Sequence, residues 1–133
     1  MMGNSTTEKD SILEYFAVVA NQKEFTLDLT LNVKGAIVTG TMISAREYFL
    51  MLSQTFEDGD EEAQMISEQL QKAGEDSGNS NEGGANFIHL KDAKIYCGDS
   101  KPTPSKGSIL WRGKLNEIDG FCIGKIHDQK QES

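Results

Sequence analysis

The stretch FTLDLTLNVKGAIVTGTMI, residues 25–43, decides the fold. Apolar residues occupy its odd positions and polar residues the even ones as far as position 33. This period of two is typical of a strand that buries one face. Lys34-Gly35 then predicts a tight turn, because Gly35 adopts a positive φ at little cost. The β-branched run that follows predicts a return strand with a bend or bulge at Gly40, which completes a β-hairpin.

Helical patterns flank this hairpin. An S-x-x-E motif begins at Ser11 and another at Ser44, and each predicts a capping box in which the serine is the N-cap. Apolar residues recur at helical spacing after both, so we expect helices over 11–22 and 45–56. A thinner apolar stripe predicts a third helix over 58–72, whose acidic start suits the positive end of a helix dipole.

The net charge of −8 on this chain of 133 residues comes from one segment. Nine acidic residues and a single base, Lys72, lie between Glu57 and Glu82, and the rest of the chain is balanced. Within that segment, residues 74–84 contain four glycines and no apolar residue, which predicts a flexible loop. We therefore interpret 57–84 as an acidic, partly flexible insert.

The C-terminal half has strand patterns separated by polar loops. Asp119-Gly120 predicts a hairpin turn before the closing strand. The first two patterns form either one bent strand or two short ones, and the expected ranges are 86–90, 93–97, 108–115 and 121–126.

The fold class that follows is α+β, with an N-terminal helix and an antiparallel sheet of five to six strands. The order of elements is similar to that of the Sm-like barrel, so we expect a sheet that can curl into a small barrel, with a helical acidic insertion after the second strand. We expect a single domain over 11–126, between polar tails at 1–10 and 127–133.

Motifs for catalysis, metal binding and phosphate binding fail on spacing or residue type, so we expect no catalytic residue, metal or cofactor. His89 fits a strand face, and His127 falls in the polar tail. Cys97 and Cys122 stand in apolar, strand-like runs, and we interpret both as reduced core residues. The polar start MMGNSTTEKD has no secretory h-region, and no run is long and apolar enough to cross a membrane, so we expect a cytoplasmic protein.

Interaction residues are better supported than catalytic ones. A pI near 4.7 argues against nucleic acid as a partner, although Trp111 could stack on a base. Acidic and basic residues are separated along the chain, so we expect the acidic region of one copy to meet the basic region of another through weak, repeated contacts. The alternative is that the charges serve solubility alone. The acidic candidates are Glu57, Asp58, Asp60, Glu61, Glu62, Glu75 and Asp76. The basic and aromatic candidates are Lys101, Lys106, Trp111, Arg112 and Lys114.

Whole segments, including TGTMISAREYF and IYCGDSKPTPSKG…WRGKL, resemble the gas vesicle protein GvpU family over Glu8 to Ile126. The resemblance implies a cytoplasmic, non-enzymatic accessory protein linked to the gathering of gas vesicles into clusters. It implies the vesicle shell or other gas vesicle proteins as partners, and bridging implies a homo-oligomer or condensate. Neither nucleic acid nor a lipid membrane is expected as a partner. The alternative function is a chaperone-like assembly factor for shell subunits.

Overall fold

The computed structural model describes residues 8–78, 85–98 and 101–126. These residues form three α-helices and a five-stranded antiparallel sheet, which confirms the α+β class. The domain boundaries remain a prediction, and most of each predicted tail lies outside the described residues. In chain order the elements are α1 Ser11–Lys23, β1 Leu27–Val33, β2 Ala36–Ile43, α2 Ala45–Gln54, α3 Glu61–Gly78, β3 Phe87–Tyr96, β4 Ile109–Lys114, a 3₁₀ turn Leu115–Glu117 and β5 Gly120–Ile123.

The β1–β2 hairpin predicted from residues 25–43 is confirmed. Lys34 and Gly35 form the turn with positive φ angles of 54° and 92°. Gly40 lies where the pairing of β2 with β3 shifts register, as expected for a bulge. A Cβ atom at Gly40 would lie 3.0 Å from the Lys91 carbonyl oxygen, so the close approach of the two strands favours glycine there.

The core lies between α1 and one face of the sheet. Alternation along the paired strands places one apolar set on this face, and small or apolar side chains of α1 cover it. Burial of this set removes the largest contiguous apolar surface of the described residues from water, and it therefore holds the sheet to α1. Its members are Leu13, Ala17, Ala20, Leu29, Leu31, Val38, Met42, Ala85, Ile88, Leu90, Ala93, Leu115 and Ile118.

The predicted Sm-like barrel does not close. The strand order is β4-β3-β2-β1-β5, and β4 and β5 do not pair with each other in the described part of the chain. In a flat sheet these edges would lie about 19 Å apart. The connection through 115–119 is too short to span that distance, since part of it is a 3₁₀ turn. The sheet therefore curls but remains open.

The predicted hairpin turn at Asp119-Gly120 is wrong, because Asp119 serves a different part of the sheet. Its backbone N–H donates to the Asn32 carbonyl oxygen at 2.8 Å. Its Oδ2 accepts from the Lys34 N–H at 2.8 Å. These bonds tie the chain to the β1–β2 turn and direct β5 onto β1 rather than back onto β4.

The predicted serine N-cap is confirmed for α2 and is wrong for α1. Ser44 is the N-cap of α2, and its Oγ accepts from the Glu47 N–H as predicted. The N-cap of α1 is Asp10 instead of Ser11, and its carboxylate accepts from the N–H groups of Ile12 and Leu13. An aspartate is as good an N-cap as a serine, so the helix begins at Ser11 itself.

The α3 helix is longer than the sequence predicts. It continues to Gly78, so residues 74–78 are helical rather than part of a loop. The physical reason is tertiary packing: Gly74 allows α3 to approach α2, and a Cβ there would lie 3.2 Å from Phe49 Cβ. The rest of the predicted loop, 79–84, lies outside the described residues. An acidic insertion therefore remains a prediction.

Candidate interaction surfaces

Arg112 on β4 is held in a defined aromatic setting. Its guanidinium carbon lies 3.8 Å from the ring centroid of Phe87 and 5.4 Å from that of Phe49. Its Nε donates to His89 Nε2 at 3.2 Å. Among the described residues Arg112 forms no ion pair with a carboxylate, so its Nη donors remain available to a ligand.

His89 is the group that positions this guanidinium. It lies on β3 directly opposite Arg112, is 4% exposed, and has the ring of Tyr48 at 4.7 Å. Burial, and to a smaller extent the charge of Arg112, lower the pKa of His89 to about 4. Burial also raises the pKa of Tyr48. His89 is thus a neutral acceptor at pH 7, and its role here is to orient Arg112.

Two adjoining depressions surround Phe87 and Asn86. One of about 270 Å³ is lined by Arg112 and His89 together with Asn21, Ser77 and other residues. The other, of about 610 Å³, is lined by Lys114, Lys9, Glu8 and Glu14 among others. Lys114 lies opposite Phe87 in the β3–β4 pairing, two residues from Arg112 on the same face of the strand. We call the surface formed by Lys9, Asn86, Phe87, Arg112 and Lys114 the basic groove.

Lys9 closes one end of the basic groove and is already neutralised. Its Nζ donates to Glu14 Oε2 at 3.0 Å, to the Ala85 carbonyl oxygen at 2.9 Å and to Asn86 Oδ1 at 3.0 Å. The bond from Lys9 is the main cause that lowers the pKa of Glu14, followed by the bond from the Ala85 N–H. Arg112 and Lys114 are therefore the cations of the groove without a carboxylate partner in the described part of the chain.

The predicted acidic residues form two separate groups, all exposed. One group surrounds the α2–α3 turn, and we call it the acidic tip. It consists of Glu57, Asp58, Asp60, Glu61 and Glu62. Asp60 also accepts from the Ala63 N–H at 3.0 Å and so serves as the N-cap of α3. Glu75 and Asp76 lie near the opposite end of α3.

The predicted basic and aromatic residues do not form one strip. Lys101 and Lys106 are exposed in the loop before β4. Trp111 faces the other side of the sheet from Arg112, opposite Leu90, and packs against the core. Only Arg112 and Lys114 are brought together, and Lys9 joins them. Sequence reasoning missed Lys9, because its contact with Asn86 spans 77 residues and leaves no local pattern.

The interpretation of both cysteines as core residues is wrong. Cys97 and Cys122 are exposed and free. Cys97 follows the end of β3, where alternation no longer turns the side chain inward. Cys122 belongs to an edge strand and faces the opposite side of the sheet from Phe121, which packs against the core.

Apolar side chains of α1 and β5 form a surface that we call the α1–β5 apolar patch, in which Ile12, Tyr15 and Ile123 are exposed and the two phenylalanines are partly buried against the core. Its members are Ile12, Tyr15, Phe16, Phe121 and Ile123. The Phe16 and Phe121 rings meet edge to face at 6.0 Å, and Tyr15 lies 6.4 Å from Phe16. Tyr15 is 63% exposed and Ile123 is 58% exposed, so the patch presents apolar surface beside the edge of β5 that no described strand pairs with.

No helix in the described ranges is long and apolar enough to span a membrane. The same ranges contain no cluster of three or more His, Cys, Asp or Glu side chains that could hold a metal ion. Comparisons with curated proteins and with solved structures gave no match. Residues 10–126, most of the chain, match the family model described as gas vesicle protein GvpU-like. The chain therefore belongs to the GvpU-like family of gas vesicle proteins.

Proposed function

We propose that this protein binds gas vesicles and promotes their clustering through weak, multivalent self-association in the cytoplasm. Membership of the GvpU-like family indicates a gas vesicle accessory protein. The observation that carries the proposal is the presence of two surfaces of opposite charge, the acidic tip and the basic groove, on separate elements of the same chain.

Such surfaces support association between copies. Exposed ion pairs are individually weak and are screened by salt. Repeated over many copies on a vesicle surface, however, they add through avidity. A net charge of −8 keeps single copies soluble and makes nucleic acid and anionic lipid unsuitable partners. The expected assembly is a homo-oligomer or a condensate that depends on ionic strength.

The α1–β5 apolar patch supports attachment to the vesicle. Bridging needs a contact with the shell, or with another gas vesicle protein, that is distinct from the contact between copies. Burial of exposed apolar side chains provides such a contact and, unlike the ion pairs, it is not weakened by moderate salt.

Flotation of stripped, intact gas vesicles tests this proposal. Purified protein is mixed with vesicles, the vesicles are floated gently, and the buoyant layer is assayed for protein and imaged. We expect protein in the layer with clumped vesicles, and dispersal of the clumps at high salt. Protein that stays below dispersed vesicles would contradict the proposal.

Two matched variants separate attachment from clustering. Ile123→Ser removes an apolar side chain from the α1–β5 apolar patch and should reduce the protein in the buoyant layer. Met65→Ser makes the same change at a 61% exposed position on α3 and should leave flotation unchanged. Equal losses from both variants would exclude the patch as the shell contact.

A chaperone-like assembly factor for shell subunits is the second candidate. The α1–β5 apolar patch also favours it, because an apolar subunit awaiting assembly would be shielded by such a surface. This function predicts binding to soluble shell subunits and no binding to finished vesicles. The same flotation assay, repeated with soluble subunits, therefore distinguishes the two candidates.

A further inference from the structure

We propose that the basic groove is a carboxylate-binding site whose occupant is the acidic tip of a second copy, so that copies join head to tail. This inference rests on the proposed self-association and names the surfaces that carry it. Three features of the molecule support it: the donors of the groove, the free carboxylates of the tip, and the separation of the two surfaces within one chain.

The polar groups that the groove presents are mostly hydrogen-bond donors. Asn21 Oδ1 accepts from the Ala45 N–H and Asn86 Oδ1 accepts from Lys9, so both amide NH₂ groups remain as donors. The Nη groups of Arg112 and the Nζ of Lys114 add charged donors. Glu8 and Glu14 line the depression around Lys114, and Glu14 is paired with Lys9, whereas no carboxylate of the described residues lines the depression that contains Arg112. A guanidinium set among such donors suits a carboxylate, which it binds through two parallel bonds.

Arg112 is fixed before any ligand arrives. Stacking on Phe87 and the bond to His89 restrict its side chain, so little conformational entropy remains to be lost on binding. The aromatic rings of Phe87 and Phe49 also remove part of the water around the guanidinium, which strengthens a hydrogen bond to an anion.

The acidic tip supplies carboxylates without internal partners. Glu57 and Asp58 form no salt bridge or hydrogen bond through their side chains in the described structure, and both are exposed in the α2–α3 turn.

The tip does not pair with the groove of its own chain in the described structure, since neither Glu57 nor Asp58 forms a salt bridge with Arg112 or Lys114. Phe49 of α2 lines the depression that contains Arg112. The helix then runs on from Phe49 to Gln54, so the tip begins about 8 Å farther along it. Packing of α3 on α2 at Gly74 and at the buried Ser67 holds it there. Because the tip and the groove are different surfaces, one head-to-tail contact leaves a free groove on one copy and a free tip on the other, and further copies can add to both.

Charge reversal on each surface tests the pairing in the soluble protein, without vesicles. Lys114→Glu leaves Arg112 in place and cancels the positive charge that these two residues give the groove, and Glu57→Lys with Asp58→Lys reduces the charge of the five acidic residues of the tip from −5 to −1. Each alone should weaken self-association about tenfold or more, measured by sedimentation and light scattering at low salt. An equimolar mixture of the two variants should restore association, because the native tip of the Lys114→Glu variant then meets the native groove of the other variant, while the new lysines meet the new carboxylate.

Matched controls move the same charges elsewhere. Lys106→Glu lies outside the groove, and Glu68→Lys changes an exposed carboxylate of α3 that belongs neither to the tip nor to the lining of the two depressions. Both controls should stay within about twofold of the native protein. Arg112→Gln gives a second test of the groove, with circular dichroism to establish that the variant is folded. Its association should also fall about tenfold.

The outcomes separate this inference from the proposed function. A mixture no better than its components, or a Lys106→Glu effect equal to that of Lys114→Glu, would overturn the pairing while self-association stands. A native protein that remains monomeric at low salt would overturn both the pairing and the proposed clustering mechanism.

Discussion

Two regions of the molecule bury very different amounts of apolar surface. One is the layer formed by the sheet and α1, which we call the sheet layer, and the other is the α2–α3 hairpin. Leu13, Leu29, Leu31 and Leu90 are completely buried in the sheet layer. In the hairpin, α2 buries Ala45, Tyr48 and Ser53, and the described part of α3 buries only a serine and a glycine, while Met65 and Ile66 remain 61% and 45% exposed. Since buried apolar area is the main source of stability, the sheet layer holds the fold together and the hairpin presents charge.

This contrast predicts two units of unequal stability. Elements with few buried apolar contacts open at lower free energy than the core does. The α2–α3 hairpin should therefore exchange its amide hydrogens faster than β1 and β2, although all of them are regular hydrogen-bonded structure. The predictions below test this difference, beginning with the largest expected effect.

Leu31→Ala should have the largest effect on the free energy of unfolding. Leu31 is completely buried opposite Val38, and its truncation leaves a cavity in the core. We expect a loss of about 2–5 kcal/mol, measured by urea unfolding followed by circular dichroism.

Met65→Ala is the matched truncation in the hairpin. Because Met65 is largely exposed, we expect a change within about 0.5 kcal/mol. Equal losses from the two variants would show that the hairpin contributes to stability as much as the sheet layer does, contrary to the comparison above.

The stability of the protein should fall on acidification because of His89. Burial and the charge of Arg112 lower the pKa of His89 from 6.5 to about 4, so the unfolded chain binds this proton first. The contribution is complete above pH 6.5 and is lost as the pH falls toward about 4, by at most about 3 kcal/mol. Urea unfolding at a series of pH values measures the slope.

His89→Gln isolates this contribution. The glutamine does not titrate and keeps an oxygen that can accept from Arg112, so the slope between about pH 6.5 and about pH 4.5 should be reduced. The lowered pKa of Glu14 acts below 4.5 and should remain in both proteins. An unchanged slope in the variant would assign the acid sensitivity to other groups.

The hairpin of β1 and β2 could be predicted because its signals are local. Alternation at 25–33 and a turn at Lys34-Gly35 are sufficient to fix both strands and their register. The end of α3 could not be predicted in the same way. Its glycine-rich sequence favours a loop, and the helix persists because Gly74 packs against α2, which is a contact between elements distant in sequence.

The candidate interaction residues could likewise be predicted from the sequence only where they are close together along the chain. The charges of the acidic tip are contiguous in sequence, so all of its members were found. The basic groove joins Lys9 to Asn86 and Arg112 to His89 across long stretches of chain, and no spacing marks them. Asp119-Gly120 was misread for the same reason, since the partner of Asp119 is the remote β1–β2 turn.

Gly74→Val tests the packing inside the hairpin. The Cβ of valine would approach Phe49 Cβ and the Arg46 carbonyl oxygen, at 3.2 and 3.3 Å, so α3 must move away from α2. We expect a cost of about 1–3 kcal/mol, concentrated in the hairpin. Hydrogen exchange should show faster opening of α3 with unchanged β1 and β2. Faster exchange throughout the sheet would show that the two units unfold together.

An effect smaller than that of Gly74→Val is expected at the N-caps of one helix in each unit. Asp10 caps α1 and Asp60 caps α3, and each carboxylate accepts from backbone N–H groups of its helix. Truncation to alanine should cost about 1 kcal/mol at either position. If the hairpin opens separately, Asp10→Ala lowers the free energy of global unfolding, and Asp60→Ala appears mainly as faster amide exchange within α3. Equal shifts of the global transition would mean that α3 is part of the same cooperative unit as the sheet, so the acidic tip would be held as firmly as the core.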